Sequence, residues 1–277
     1  MRLRLPGSRN VEDRRGTRFG RAGGIGIGGL VLALIAMYFG QDPSVVLNQM
    51  QGGVQEEQVP YEESAAEARD REFISGVLAD TEATWSQIFA SAGRTYEVPK
   101  LVLFSGAVQS ACGFAQAAVG PFYCPADRKV YIDLSFYEAL KTRFGAPGDF
   151  AQAYVVAHEI GHHVQTLLGI AERNQAARQS ASEAQANALS VQMELQADCF
   201  AGIWAHNANE SRQILESGDV EEGLNAASAI GDDRLQQQSR GQVSPESFTH
   251  GSSAQRVQWF KRGLEQGSLQ GCDTSRL

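Results

Sequence analysis

The sequence predicts a helix-dominated α+β domain with a small β-sheet, preceded by one transmembrane helix. Three observations lead there. Ala22 to Gly40 runs for 19 residues without a charge, about 28 Å as a helix and close to the roughly 30 Å of a bilayer core. Downstream, apolar residues recur mainly at helical spacing, with two short strand-like runs between them. The 277 residues at 43% hydrophobic content suffice for one good-sized core.

Residues 1–21 form a basic arm. Seven arginines stand there against Glu12 and Asp13, for +5. The rest of the chain holds 17 basic and 30 acidic residues, or −13 of the net −8. An acidic main body argues against a nucleic-acid surface. Arginines before the apolar stretch predict an N-terminus in the cytoplasm, a signal anchor crossing the lipid bilayer at 22–40, and everything after Gln41 on the extracytoplasmic side. A cleaved signal peptide is the rival reading, but no A-x-A-like site follows the run. Residues 41–65 are polar and pattern-poor and read as a linker.

The domain proper is expected over 66–277. Phe73, Val77, Leu78, Trp85, Ile88 and Phe89 predict a helix from about Ala66 to Ala92. Leu101 to Phe104 reads as a strand, as does the alternating Lys129 to Leu134. Ser135 to Phe144 reads as a short helix closed by Gly145-Ala146-Pro147-Gly148. A longer one runs from about Phe150 to Leu168 and stops at Gly169. The polar stretch Glu172 to Asn187 has the composition of a flexible lid, and it leads into a helix over roughly Ala188 to His206. From Ser211 onward the chain is helical, with turns at Gly218, Gly231 and Ser244-Pro245.

Four cysteines (Cys112, Cys124, Cys199, Cys272) suit an oxidising compartment. Bridging Cys112 to Cys124 would stabilise a short loop by about 3 kcal/mol in the loop-entropy model. The remaining pair would tie the tail to the 188–206 helix. A second zinc held by four thiolates is the alternative, but no C-x-x-C spacing supports it.

Within the 150–168 helix lies Val155-Val156-Ala157-His158-Glu159-Ile160-Gly161-His162-His163. Positions i and i+4 share a helix face, so His158 and His162 can grip one ion while Glu159 projects toward a metal-activated water. The bland alternative is a helix whose histidines face water. Its uncharged flanks count against that, as do three of the chain's five histidines in six residues. A catalytic zinc needs a third protein ligand. The extension H-E-x-x-H-x-x-G-x-x-H is excluded by Gln165 and Leu168. Glu194 is the candidate, with Asp198 one turn on to accept the far N–H of a ligand histidine. Both acids sit on a largely apolar helix, where carboxylates are costly to bury without a cation. Glu172 and Glu183 are weaker alternatives in polar surroundings. His163 points about 100° away from His162 and is expected to pack or hydrogen-bond. His206 is expected at a helix C-terminus, serving as a charge.

This combination resembles the gluzincins, and more closely the bacterial neutral zinc metallopeptidases of the YpfJ type. The resemblance rests on Cys112-Gly113, Gly120 to Pro125, Val130 to Tyr137, the His158 motif, Glu194 to Gly202 and Thr249-His250-Gly251-Ser252, with the signal-anchor start, and covers nearly the whole chain. It implies a zincin-like metallopeptidase domain with one Zn²⁺ per chain, acting on a protein or peptide substrate. Glu159 would be the general base, His250 the donor to a developing oxyanion, and Arg256 a residue orienting the His250 loop. The Val130–Leu134 strand resembles the edge strand along which such peptidases align substrate. The rival functions are a zinc-binding envelope scaffold that cleaves nothing and a zinc amidase acting on a non-protein amide.

Overall fold

The computed structural model describes residues 1–19 and 56–275. Its elements in chain order are β1 (Val11–Asp13), β2 (Thr17–Phe19), β3 (Glu56–Gln58), α1 (Ala65–Ser91), β4 (Lys100–Phe104), β5 (Ala107–Ser110), β6 (Gly113–Gln116), β7 (Phe122–Cys124) and β8 (Lys129–Asp133). Helices follow: α2 (Ser135–Thr142), α3 (Asp149–Leu167), α4 (Ile170–Gln179), α5 (Glu183–Arg212), α6 (Asp219–Ala229), α7 (Asp232–Arg240) and α8 (Ser253–Gln266). The α+β, helix-dominated reading with small sheets therefore describes the chain.

The chain divides into two compact units. One joins Met1–Asp13 to Glu63–Leu277, and the other is Arg14–Glu62. In the smaller unit β2 and β3 pair antiparallel, Thr17 opposite Gln58, and the Arg15 guanidinium lies 4.9 Å over the Tyr61 ring.

The larger unit is built on a sheet in the order β1-β4-β8-β7, with β1 and β8 parallel to β4, and β7 antiparallel to β8. Alternation sorts its side chains. Leu101, Leu103, Val130 and Ile132 join the main core with α1, α3, α5 and α8, while Val102, Phe104 and Tyr131 face a smaller cluster with Val108 and Cys124. Helix starts follow local chemistry: Ser64, Ser182 and Ser252 cap α1, α5 and α8, each in a reciprocal capping box with Glu67, Gln185 or Gln255. Helix α3 is largely apolar and, Gln152 apart, buried from Phe150 to Gly161, with Phe150 stacked on Trp204 of α5.

Several expectations are corrected. Among the described residues no helix is long and apolar enough to cross a membrane, and the 22–40 stretch lies outside them. The described residues thus form a helix-dominated α+β structure with small sheets, and the expected preceding transmembrane helix is not among them. The single-pass location, with a cytoplasmic N-terminus and an extracytoplasmic domain, is not borne out by those residues. The arm has a different place: β1 pairs with β4, Val11 opposite Leu101, and Glu12 bridges to Lys129 at 3.0 Å. Strand pairing puts residues 11–13 and the domain in one sheet, and no bilayer can separate two strands of one sheet. The stretch expected as a lid, 172–187, is α4 followed by the first turn of α5. Both disulfides form, Cys112–Cys124 and Cys199–Cys272.

Candidate metal centre

Helices α3 and α5 meet at Gly161, where the backbone and Cβ of Ala197 fill the gap. A Cβ on Gly161 would lie 2.9 Å from the Ala197 carbonyl oxygen and 3.0 Å from its Cα. That approach carries Glu194 and Asp198, which flank Ala197 on α5, onto the face of α3 that presents His158 and His162. One donor atom from each of His158, His162 and Glu194 lies within 4.8 Å of the others. His158 Nε2 is 3.1 Å from Glu194 Oε2, and His162 Nε2 is 3.5 Å from Oε1.

Each ring is held from behind. His158 Nδ1 donates to Asp198 Oδ1 at 2.8 Å, and His162 Nδ1 donates to Gln165 Oε1 at 2.9 Å. Asp198 is wholly buried and also receives both arms of the Arg256 guanidinium at 2.9 Å and the Tyr154 hydroxyl. Burial opposes a charge on Asp198, but Arg256 and then His158 outweigh it and keep its pKa low. Arg256 is therefore aimed at Asp198 and the Ile230 carbonyl; the contacts that hold the His250 loop come from Asp232.

The electrostatics suit a cation. Burial works against protonating His158, yet Asp198 and the hydrogen bond to Glu194 push its pKa up to about 10. His162 is raised too: burial opposes, Glu194 prevails. Glu194 is held well below the usual carboxylate range because the two imidazoles overcome its burial. Carboxylates that so favour positive charge on these rings also favour a divalent ion between them. Two imidazoles, one carboxylate and occupied Nδ1 atoms match the donor set of a catalytic zinc site. Glu159 is buried beside them with its pKa raised by burial, an effect the two imidazoles reduce.

The site floors a cleft of about 1070 Å³, whose walls include Tyr123 of β7, Phe136, Val155, Leu235 and His250. His250 is half exposed and Nδ1 lies 3.2 Å from Asp232 Oδ1. Asp232 Oδ2 accepts the backbone N–H groups of Thr249, His250 and Gly251. The Asp232 hydrogen bond raises the His250 pKa against a smaller opposing effect of burial.

Other sequence expectations sort themselves here. β8 is not an edge strand; it lies between β4 and β7, and β7 is the terminal strand on the cleft side among the described residues. Asp133 of β8, buried, accepts from the backbone N–H groups of Gly106 and Ser135. His163 is buried, its Nε2 donating to the Glu97 carbonyl at 2.6 Å and its Nδ1 meeting the Tyr123 hydroxyl at 3.1 Å. His206 lies inside α5 and donates from Nδ1 to the Leu264 carbonyl at 2.8 Å. Tyr154, Gln165 and Asp232 were not anticipated. Tyr154 stands at i−4 from His158 on the motif's own face, a legible signal; Asp232, 18 residues before His250, gives none.

Two histidines on one buried helix and a carboxylate from a later one are the donor arrangement of a zinc peptidase. The comparisons with known proteins agree. The family described as "Putative neutral zinc metallopeptidase" matches residues 1–275, and the chain belongs to that family. It is 51% identical to the uncharacterized protein YpfJ of Escherichia coli (strain K12) over 96% of both chains. It is 40% identical to the uncharacterized protein Rv2575 of Mycobacterium tuberculosis (strain H37Rv), covering 86% of this chain and 84% of that one. No solved structure matches.

Proposed function

We propose that the protein is a zinc-dependent peptidase in which His158, His162 and Glu194 hold one Zn²⁺ and Glu159 is the general base. The observation that supports this most directly is the convergence of those three donor groups on the floor of a cleft, with a buried carboxylate alongside. Zinc bound there supplies Lewis acidity, lowering the pKa of a water and polarising a scissile carbonyl.

The chain's own groups do the rest. Glu159 accepts the proton of the attacking water and returns it to the leaving amine; its raised pKa brings it nearer the operating pH, where acid–base catalysis is most effective. Protonated His250, with Nδ1–H held by Asp232, offers Nε2–H to the developing oxyanion. The outer edge of β7, with Tyr123 in the cleft wall, suits main-chain pairing with an extended peptide.

Two variants test this together. Glu159→Gln should keep about one zinc per chain and lose peptide hydrolysis by on the order of 10²–10⁴-fold. Glu194→Ala should lose the metal. Zinc content measured beside turnover of a broad peptide library decides it. Equal zinc in both variants removes Glu194 from the site. Stoichiometric zinc without turnover in the wild type favours a scaffold, or an amidase if a non-peptide amide is cleaved.

A further inference from the structure

His158 has a carboxylate behind it; His162 has an amide, and that amide leads onward. Gln165, fully buried one turn after His162, accepts the Nδ1 proton at Oε1. Its Nε2 donates to the Met193 carbonyl at 2.7 Å and to Gln196 Oε1 at 3.1 Å. Gln196 Nε2 in turn donates to the Cys272 carbonyl at 2.9 Å. Cys272 is itself pinned to α5 by its bond to Cys199, three residues after Gln196.

The polarity of this chain is fixed by its ends. A backbone carbonyl only accepts, so the nitrogen of Gln196 must face Cys272 and its oxygen must face Gln165. That oxygen and the Met193 carbonyl can only accept, so Gln165 must turn its nitrogen to both and its oxygen to His162. An oxygen there demands a proton on His162 Nδ1. The Nε2 lone pair is then committed to the metal side, with no neighbouring charge required to hold it.

We propose that Gln165 and Gln196 are positioning residues, a buried amide relay that sets the His162 tautomer and ties this ligand to the disulfide-anchored C-terminal segment. The inference rests on the zinc reading of His158, His162 and Glu194, and not on peptide cleavage. Gln196 reaches the ring only through Gln165, so the two should not act independently.

Zinc affinity of the full chain, measured by competition with a chromogenic chelator, tests this without an activity assay. Gln165→Met should weaken zinc binding about 10–100-fold, the usual effect of removing the partner of a ligand histidine. Gln196→Met should weaken it less, and the double variant should match Gln165→Met alone. Nitrogen NMR of the metal-free chain, at a pH where the His162 ring is neutral, should report one tautomer in the wild type and a mixture in Gln196→Met. That measurement stands even where Gln165→Met fails to fold. Affinities within twofold of wild type, losses that multiply in the double variant, or an unchanged tautomer in Gln196→Met overturn the relay. A wild-type chain that binds zinc tightly but cleaves nothing overturns the peptidase and leaves the relay standing; one that takes up no zinc overturns both.

Discussion

Asp232 shows how much of this site depends on single side chains remote in sequence. Its carboxylate, through the hydrogen bond that dominates, favours the charged His250 ring, with burial working the other way. A histidine whose folded pKa is raised contributes stability fully present below its unfolded value of about 6.5 and lost as pH rises through the folded one. Donation to an oxyanion also requires the protonated ring, so activity should fall along the same limb. Asp232→Asn should move both the His250 NMR titration and the alkaline limb of kcat/KM to lower pH; an unmoved limb excludes His250 from the chemistry. Asp198 is a different case. With its partner Arg256 also buried, Asp198→Ala strands a guanidinium and should cost about 3–5 kcal/mol in urea unfolding. The sequence announced Asp198 by its spacing from Glu194 on an apolar helix. It could not announce Arg256 as the partner, because nothing local links positions 58 residues apart.

Helix packing explains why Gly161 sits inside the motif. Glycine costs a helix about 1 kcal/mol relative to alanine, and here it lets α5 approach until the Ala197 backbone touches α3. Gly161→Ala gains that propensity but pushes a methyl to 2.9 Å from a carbonyl oxygen. Overpacking of this kind typically costs about 1–3 kcal/mol, so the loss should prevail. Denaturation should show lower stability and chelator competition weaker zinc binding, since Glu194 and Asp198 move with Ala197; a stabilised variant with unchanged zinc affinity would mean that the contact is slack. Helices of this kind were legible: periodicity for α1, and the glycine and proline stops for α2 and α3, placed them within a residue or two. The short strands were not. β5, β6 and β7 are three or four residues each, too brief for alternation to register, and β7 is held by pairing and by Cys124. The 172–187 stretch misled because polar composition there marks an exposed helix, α4, and the start of α5, whose capping serine at 182 was the available clue.

The arrangement of the larger unit rests on a segment that composition assigned elsewhere. Charge pattern made residues 1–21 an arm, but a basic segment and an edge strand are not exclusive when the pairing is made by backbone. Val11, Glu12 and Asp13 run parallel to Leu101, Val102 and Leu103, and the Leu101 N–H donates to the Asn10 carbonyl at 2.9 Å. Further back, Leu3 packs on Gly76 of α1, so closely that a Cβ there would meet its Cδ1 at 2.6 Å, and the Arg2 N–H donates to the Ile214 carbonyl at 2.8 Å. Removing residues 1–13 would thus uncover β4, turning an interior strand into an edge that invites pairing with a second chain. It would also open the surface of α1 where Leu3 sits. Each net backbone hydrogen bond is worth about 1 kcal/mol, and the partly buried Leu3 adds a fraction of the about 1.5–3 kcal/mol of a fully buried leucine, so the loss should reach a few kcal/mol. A chain lacking residues 1–13, compared with the full chain by urea unfolding and by light scattering, should unfold earlier and self-associate. Unchanged stability would mean that β1 contributes nothing to the fold. The proposed zinc ligands lie on α3 and α5 away from β1, and Met1 pairs with α3 at Asp149, nine residues before His158, so a sample that stays folded should still bind the metal.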